Sequence, residues 1–372
     1  PRILRYLGYS AYQNGNYDSA ISALTEYITK GTNKVIAADY YNLGLAKIAK
    51  SIAADGKTVD GAALALGALD IKKSLESDVI FVVVNTPSTV DYKYDHTNIE
   101  NVINKLIAFG PQKKRKELII NCTTFPGYCE NLQNRLESYN FVVSYNPEFI
   151  AQGSIIMDQI NADNVLIGEY DKQSGNIIEK IYKKMCYGNP TINRMSVTEA
   201  ELTKLSVNCF LTTKISYANM VGDICNRYGA NASKVLSAIG TDSRIGGKYL
   251  NYGYGFGGPC FPRDNRALSK CAEEVGVDAV ISKATDVMNE LHLEYQVQDF
   301  FTKNPNKDIP VEIEYVTYKK DSTSIEESQQ LKFALELKNM GYNVKLKDQR
   351  PEVLNQIQNL IKWHYHKISL IG

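Results

Sequence analysis

The residues best suited to chemistry lie in one glycine-rich segment, Tyr252-Gly-Tyr-Gly-Phe-Gly-Gly-Pro-Cys-Phe-Pro-Arg-Asp264. Four glycines fall within these thirteen residues, and glycine lets a ligand approach the main chain closely. Cys260 stands near Arg263 and Lys248, an electropositive setting that favours a thiolate nucleophile. The alternative is a flexible loop around a buried structural cysteine, and the residue types alone leave both interpretations open.

A second group of polar residues recurs at helical spacing. Glu201, Lys204 and Asn208 are three and four residues apart, so Lys204 and Asn208 share one face and are able to grip a hydroxyl or a water. A solvated charged stripe is the alternative. The surrounding run, which includes Leu205 and Phe210, favours a helix buried on most sides, where a lysine needs polar partners.

Strands and helices alternate from about residue 69, which predicts a parallel sheet with right-handed crossovers. Strands are expected at 78–84, 117–121 and 141–144, separated by helices at 99–107 and 132–136. Ligands of such sheets bind beyond the carboxyl ends of the strands. The residues that follow the three strands, and are expected to face one crevice, are Thr86, Thr124 and Glu148.

The remainder of the chain is predicted to be helical first and α/β afterwards. A long helix is expected over 197–228, and residues 302–308, rich in Lys, Asn and Pro, are the best candidate linker. In the tail we expect a strand at 310–317, a helix at 326–340, and further strands at 343–347 and 367–371.

The first 51 residues have a helical pattern that nearly repeats. The Leu-Gly pair at Leu7-Gly8 recurs 36 residues later at Leu43-Gly44, close to the period of about 34 of tetratricopeptide repeats, which this stretch resembles. Such repeats would bind a protein partner. The competing interpretation is a degenerate dinucleotide-binding unit in which Asp39, at the end of a short strand, holds a ribose.

Composition limits the classes of function. The chain has 372 residues, which suggests two to three domains, and 42 basic against 41 acidic residues give a net charge of +1. No global field therefore favours nucleic acid or a membrane surface. The longest apolar run, 79–84, has six residues, too few to span a bilayer. Seven cysteines without metal-type spacing predict reduced thiols in the cytoplasm. The four scattered histidines are expected at the surface and not in a metal site.

Several motifs together carry a resemblance to a known family. Residues 255–264 resemble the catalytic cysteine loop of the UDP-glucose/GDP-mannose dehydrogenase family, and 146–153 its Asn-Pro-Glu-Phe loop. Glu201, Lys204 and Asn208 match its central helix. The Asn-Thr-Pro and Thr-Thr-Phe-Pro turns after the first two predicted strands occur in the family's order, and the likeness extends over about residues 69–350.

The resemblance implies that a sugar hydroxymethyl group is oxidised twice, with NAD as the cofactor. Cys260 would be the nucleophile that captures the intermediate aldehyde as a thiohemiacetal and then carries a thioester. Lys204 and Asn208 would stabilise the oxyanion, while Asp264 would assist proton movement through a water. Glu148 would be the general acid/base or water activator, with Thr124 as its hydrogen-bonding companion.

The resemblance also implies two sets of binding residues. Arg244, which would reach in from a second subunit, and the segment 251–257 would hold the sugar and diphosphate. The substrate-binding set is Phe149, Gln152, Arg244, Asn251, Tyr252, Gly253, Tyr254, Gly255, Phe256, Gly257 and Lys319. The cofactor-binding set is Thr86, Pro87, Thr124, Gln152, Arg263 and Asp39.

The chain departs from the family pattern at identifiable places. A family glutamate is Gln152 here, the lysine after the catalytic cysteine is Arg263, and a cofactor-facing arginine falls on Glu326. Two of these changes remove or reverse a charge, so substrate and cofactor preference are open. The family's opening Gly-x-Gly-x-x-Gly loop, which binds pyrophosphate, is replaced by the repeat-like helices.

Two hypotheses follow for domains and function. The expected domains are 1–66 (helical repeats or a degenerate dinucleotide unit), 67–192 (a Rossmann-like parallel sheet that binds NAD), 193–301 (a central long-helix domain) and 302–372 (a second Rossmann-like, nucleotide-sugar-binding domain, shortened at its end). The first hypothesis is an oligomeric, cytoplasmic UDP-glucose 6-dehydrogenase that supplies uronic acid for polysaccharide synthesis. The second is a catalytically impaired or chimeric binding protein.

Overall fold

The computed structural model describes residues 22, 23, 25, 71, 72, 74–149, 155–320, 322–348 and 350–364. The chain divides into two compact units. The first unit consists of Pro1–Thr86 and His96–Glu201, and the second unit consists of Pro87–Asp95 and Leu202–Gly372. The expectations for Asp39, Gln152 and the strand at 367–371 lie outside the described residues, as do nearly all residues of the predicted repeats.

A five-stranded sheet forms the centre of the first unit, in the order β1-β2-β3-β4-β5. Its strands are β1 (Val79–Val82), β2 (Lys116–Ile120), β3 (Phe141–Tyr145), β4 (Asn164–Gly168) and β5 (Thr191–Met195). β2 is buried at every position, including Lys116 and Glu117. β1 belongs to a continuous apolar run, which is typical of a strand covered on both faces, yet its positions alternate between half-buried and buried. The first three strands are confirmed within a few residues. β5 lies at the edge of the sheet with no fully buried position, so it lacks the apolar run that predicted the others.

The predicted parallel pairing holds within two sets of strands. β1, β2 and β3 are parallel, and β4 is parallel to β5. The two sets meet in an antiparallel pair, Tyr145 opposite Gly168. This pair joins the last residue of β3 to the last residue of β4, so the carboxyl ends of these two strands lie side by side. The helix described between the two strands has six residues.

Helices cover this sheet on the pattern expected from the sequence. They are α1 (Thr97–Ile107), α2 (Tyr128–Leu136), α3 (Ile155–Ile160) and α4 (Lys172–Met185). In α1 the apolar side chains of Ile99, Ile103 and Leu106 are fully buried, because spacings of four and three place them on one face. They pack with the strands in the main core of the unit.

The second unit begins with long helices and ends with a small sheet. Its helices are α5 (Val197–Arg227, of which residues 202–227 belong to this unit), α6 (Ala232–Gly240), α7 (Phe261–Glu274) and α8 (Val280–Lys303). The small sheet pairs β6 (Val311–Ile313) with β7 (Val344–Leu346) in parallel, and α9 (Gln329–Asn339) and α10 (Pro351–His364) complete the unit. The long helix and the later strand–helix–strand order are confirmed, whereas α10 is a helix that the sequence did not predict.

Candidate active site

Cys260 lies at the N-cap of α7, at the end of the glycine-rich loop. The residue is exposed. Gly258 has φ +84°, and a Cβ there would come within 2.6 Å of the Tyr318 ring. A Cβ on Gly257 would come within 2.4 Å of the Glu327 carbonyl oxygen. These glycines are therefore required for close packing of the loop against the segment 318–327, which fixes the main chain just before the thiol.

Asp264 lies one turn into α7, and its backbone N–H donates to the carbonyl of Cys260 at 2.8 Å. The carboxylate is fully buried and accepts three hydrogen bonds. Asn208 Nδ2 donates to Oδ2 at 2.6 Å, Tyr94 OH to Oδ1 at 2.7 Å and Arg263 Nε to Oδ1 at 3.0 Å. A buried carboxylate held by three side chains has a fixed orientation beside the thiol.

Opposing charges act on the Cys260 thiol. Although part of the Cys260 residue is exposed, protein atoms packed around the sulfur leave a thiolate poorly solvated, and this raises the thiol pKa most. The cations of Arg263 and Lys204 lower the pKa, and the carboxylates of Asp264 and Glu326 raise it. The net direction is upward, while Arg263 acts in the direction that the sequence predicts and Lys204 acts in the same direction. Two cations are close to the sulfur, but burial and two carboxylates outweigh them.

Lys204 and Asn208 are both buried, each 7% exposed. The alternative of a solvated charged stripe is therefore wrong for these two residues. Asn208 holds Asp264, and Lys204 is near enough to Cys260 to lower its pKa. The central helix thus brings an ammonium and an amide to the cysteine loop, as their spacing predicts.

The predicted substrate segment is held by side chains of α5 and α8. Asn289 accepts from Phe256 N at 2.9 Å and donates to Phe256 O at 3.0 Å. Asn219 accepts from Gly253 N at 3.1 Å. A Cβ on Gly255 would come within 2.2 Å of Asn289 Oδ1. These contacts hold the main chain in place, which contradicts the alternative of a flexible glycine loop.

The other candidate substrate residues are dispersed. The Arg244 side chain is 87% exposed and forms an ion pair with Asp242 at 2.7 Å. Within this chain its ion-pair partner is therefore Asp242 and not a residue of the cysteine loop. Lys319 is exposed. Phe149, in the first unit, packs partly buried against the main core of that unit. Of the predicted cofactor residues in the second unit, Pro87 is exposed and Arg263 is paired with Asp264.

The carboxyl ends of β1, β2 and β3 lie at one edge of the sheet, as predicted. Thr86 Oγ1 donates to the Thr123 carbonyl at 2.8 Å and ties the first two strand ends together. Asn146 donates to the Leu166 carbonyl at 2.8 Å and accepts from Tyr182 OH at 2.7 Å. Polar groups at the carboxyl edge of parallel strands are the surroundings in which such sheets bind dinucleotides. The described part of this edge therefore fits NAD.

Glu148 and Thr124 do not form the predicted pair. The Glu148 carboxylate accepts from the Gln159 side chain, whereas Thr124 is fully buried and donates to Glu201 Oε1 at 2.8 Å. The expected contact between them is wrong because Glu201, on α5, takes the threonine hydroxyl. Thr124 is accordingly a positioning residue inside the first unit.

Glu201 caps the N-terminus of α2. Its carboxylate accepts from Gly127 N at 2.7 Å and from Cys129 N at 3.0 Å. Unpaired N–H groups and the helix dipole favour an anion at this place. Burial nevertheless raises the pKa of Glu201. The first member of the predicted Glu201, Lys204 and Asn208 set is therefore structural and belongs to the first unit.

Two site residues were missed by the sequence. The Tyr94 hydroxyl donates to the Asp264 carboxylate, and the two residues are 170 positions apart along the chain. No local sequence pattern could therefore predict this contact. His292, predicted at the surface, is 1% exposed and faces the loop. The signal for His292 was present: Asn289, His292 and Gln296 recur at spacings of three and four on α8, and all three contact the loop.

The described residues contain neither a candidate membrane span nor a candidate metal site. No described helix has both the length and the apolarity needed to cross a membrane. No group of three or more His, Cys, Asp or Glu side chains in those same residues has the arrangement of a metal site.

Two family models match the chain. Residues 57–186 match the NAD binding domain of the UDP-glucose/GDP-mannose dehydrogenase family, and residues 198–291 match the central domain of that family. Together they cover more than half of the sequence, and both belong to one family.

Curated relatives and solved structures agree. The chain is 31% identical over 279 residues to UDP-glucose 6-dehydrogenase TuaD of Bacillus subtilis, covering 73% of this chain and 59% of that protein. It is 36% identical over 220 residues to a UDP-glucose 6-dehydrogenase of Rickettsia conorii, covering 58% and 49%. The chain spans about half the length of most of these relatives. A UDP-glucose dehydrogenase structure from Pyrobaculum islandicum matches with a TM-score of 0.73 and 26% identity, covering 94% of this chain and 78% of that one.

Proposed function

Because this chain belongs to the UDP-glucose/GDP-mannose dehydrogenase family, we propose that it oxidises the hydroxymethyl group of a nucleotide sugar to a carboxylate, with two NAD as oxidant. UDP-glucose is the substrate that we propose, because the relatives above are UDP-glucose dehydrogenases. The observation that carries the proposal is an exposed cysteine at a helix N-cap beside a buried lysine, asparagine and aspartate.

The proposed reaction has three stages at the sugar C6. The alcohol loses a hydride from carbon and a proton from oxygen, and an aldehyde results. The Cys260 sulfur then bonds to the aldehyde carbon while the carbonyl oxygen takes up a proton, which gives a thiohemiacetal. Loss of a second hydride and a proton gives a thioester, and water cleaves the C–S bond to yield the carboxylate and the free thiol. Bound NAD supplies the acceptor for each hydride.

The buried groups around Cys260 have separate tasks in these stages. Lys204 places a positive charge where the oxyanion develops during addition and hydrolysis. Asn208 and Tyr94 orient the Asp264 carboxylate, which we propose guides the proton of the attacking water. The Lys204 and Arg263 cations lower the pKa of the thiol and thereby favour sulfur attack.

Glu148 remains our candidate for the general acid/base or water activator in the first unit. Its carboxylate is already held by Gln159, which gives it a defined position after β3. Thr86 and Thr124 support the strand ends at the edge that fits NAD. The proposed domain division remains 67–192, 193–301 and 302–372, with the segment 251–257 and Lys319 as contacts for the nucleotide sugar.

We also propose a homo-oligomer in the cytoplasm. Exposed apolar side chains recur along α5 at Phe210, Tyr217 and Ile224, with exposures of 66%, 47% and 49%. A seven-residue spacing keeps them on one face, which would suit a second copy of this helix. All seven cysteines lie within the described residues, and no disulfide bond joins any two of them, which supports a reducing compartment.

NADH formation tests the proposed function. Purified protein is mixed with UDP-glucose and NAD, and NADH is followed by absorbance while UDP-glucuronate is measured by chromatography. We expect two NADH per UDP-glucuronate. If UDP-glucose binds calorimetrically but no NADH forms, the dehydrogenase proposal fails and a nucleotide-sugar binding protein remains.

A further inference from the structure

His292 joins a buried carboxylate to the main chain of the glycine loop. Its Nδ1 is 2.8 Å from Asp223 Oδ2, and its Nε2 is 2.6 Å from the Gly253 carbonyl oxygen. The side chain is 1% exposed. Neither the three stages above nor the family residues account for a buried histidine at this place.

The hydrogen-bond partners of the His292 ring show which ring nitrogen must carry a hydrogen. A backbone carbonyl only accepts, so Nε2 carries a hydrogen. The other oxygen of Asp223 accepts from Tyr252 OH at 2.9 Å, and that hydroxyl in turn accepts from Asn226 at 2.9 Å. The Asp223 carboxyl group therefore contacts both the His292 ring and the Tyr252 hydroxyl, and it links the histidine to the loop residue next to Gly253.

The same network fixes the residues next to Gly253. The Tyr252 ring lies against Gly222 so closely that a Cβ on that glycine would come within 1.9 Å of it. Gly253 N donates to Asn219 while its carbonyl accepts from His292 and, at 3.1 Å, from Gln296. Both backbone polar groups of Gly253 are therefore held by helix side chains, within the segment proposed to contact the nucleotide sugar.

We propose that His292 is a positioning residue for nucleotide-sugar binding: its ring bridges Asp223 and the Gly253 carbonyl and holds the loop in its binding conformation. This inference rests on the proposed function. Loss of the bridge leaves Gln296 as the remaining donor to Gly253, so the loop is loosened, and affinity for the sugar falls more than the rate of the chemical stages.

Two isosteric variants separate the two contacts. In His292→Gln the amide nitrogen reaches the place of Nε2 and keeps the bond to Gly253. In His292→Asn the amide nitrogen takes the place of Nδ1 and keeps only the bond to Asp223. A buried hydrogen bond to a backbone carbonyl contributes enough for up to about a tenfold change in a dissociation constant. We expect about tenfold weaker UDP-glucose binding by calorimetry for His292→Asn, and a change within about threefold for His292→Gln. In turnover assays His292→Asn should raise KM with little change in kcat.

Amide hydrogen exchange of residues 251–258 gives a readout that needs no substrate. We expect faster exchange in His292→Asn than in wild type, with His292→Gln close to wild type. Equal exchange in all three proteins overturns the inference, even if UDP-glucose does not bind and the proposed function itself fails. If His292→Asn does not fold, nitrogen-15 NMR of the wild-type histidines decides: a hydrogen on His292 Nε2, bonded to the Gly253 carbonyl, is expected, and an Nε2 without a hydrogen contradicts the proposal.

Discussion

Cys129 in the first unit and Cys260 in the second occupy similar local structure. Each lies at the start of a helix, α2 or α7, and each is influenced by a buried carboxylate, Glu201 or Asp264. Cys129 is fully buried, and burial followed by Glu201 raises its pKa well above the ordinary value. Cys260 is exposed, and Arg263 and Lys204 oppose the increase. Access and nearby cations, more than the helix N-terminus, separate a reactive from a structural cysteine.

The two carboxylates differ in the same way. Glu201 receives two of its three hydrogen bonds from the backbone at the start of α2. Asp264 receives all three from side chains. We therefore expect Glu201, which is bound by main chain, to stabilise its helix. We expect Asp264, which is oriented by side chains, to act in catalysis. The following predictions test this contrast.

Replacement of the exposed thiol should have the largest effect. Cys260→Ser cannot form the thioester, so we expect UDP-glucuronate production to fall about a thousandfold or more. Cys271→Ser, on the same helix, is the matched control and should keep turnover within about twofold. Product formation by chromatography is the measurement, and near-normal turnover of Cys260→Ser would refute its role.

Neutralising the two carboxylates should have different effects on kcat. We expect Asp264→Asn to lower kcat about a hundredfold, whereas Glu201→Gln should retain the kcat of the folded protein. Each variant places an amide N–H₂ against hydrogen-bond donors, so each should lower the free energy of unfolding by about 1–3 kcal/mol. Urea unfolding and initial rates check both, and a large loss of kcat in Glu201→Gln but not in Asp264→Asn would reverse our assignment.

Tyr94→Phe removes one donor to Asp264 and leaves the buried ring in place. Because Asn208 and Arg263 still hold the carboxylate, we expect kcat to fall only about three- to tenfold. Tyr92→Phe is the control, since Tyr92 is 54% exposed. Identical kcat values for the two variants would mean that Tyr94 does not orient Asp264 during turnover.

Glu326→Gln should change the thiol itself by a small amount. The Glu326 carboxylate raises the pKa of Cys260, so its neutralisation should lower that pKa. At a pH below the thiol pKa the thiolate fraction then increases, and we expect alkylation about two- to fivefold faster. At a pH far above it the rates should converge. Glu327→Gln, which removes a partner of Arg266, is the control and should leave the alkylation rate unchanged.

Much of the fold could be predicted, because apolar runs and helical spacing are local signals. β1 to β3, α5 and the later strand–helix–strand order follow from them. The antiparallel junction of β3 and β4 did not, because it depends on one pair of residues, Tyr145 and Gly168, that no local pattern of apolar residues reveals. The mixed sequence of the edge strand β5 gave no signal at all.

The candidate site was predictable where a motif carries its own chemistry. Cys260, Lys204, Asn208 and Asp264 come together as expected. The expected contact of Thr124 with Glu148 was wrong, because only the fold shows that Glu201 takes the threonine hydroxyl. Tyr94 depends on a contact between distant positions. The raised pKa of Cys260 depends on burial and on Glu326, neither of which the spacing of charges along the sequence reveals.

Site-resolved alkylation of the native protein tests the central claim most directly. Wild-type protein is treated with iodoacetamide, with and without saturating UDP-glucose, and each cysteine peptide is quantified by mass spectrometry. The account predicts that Cys260 is modified first, that UDP-glucose protects it, and that Cys129 reacts only after unfolding. Modification of Cys129 at the rate of Cys260 in the folded protein, or no protection of Cys260 by UDP-glucose, would contradict it.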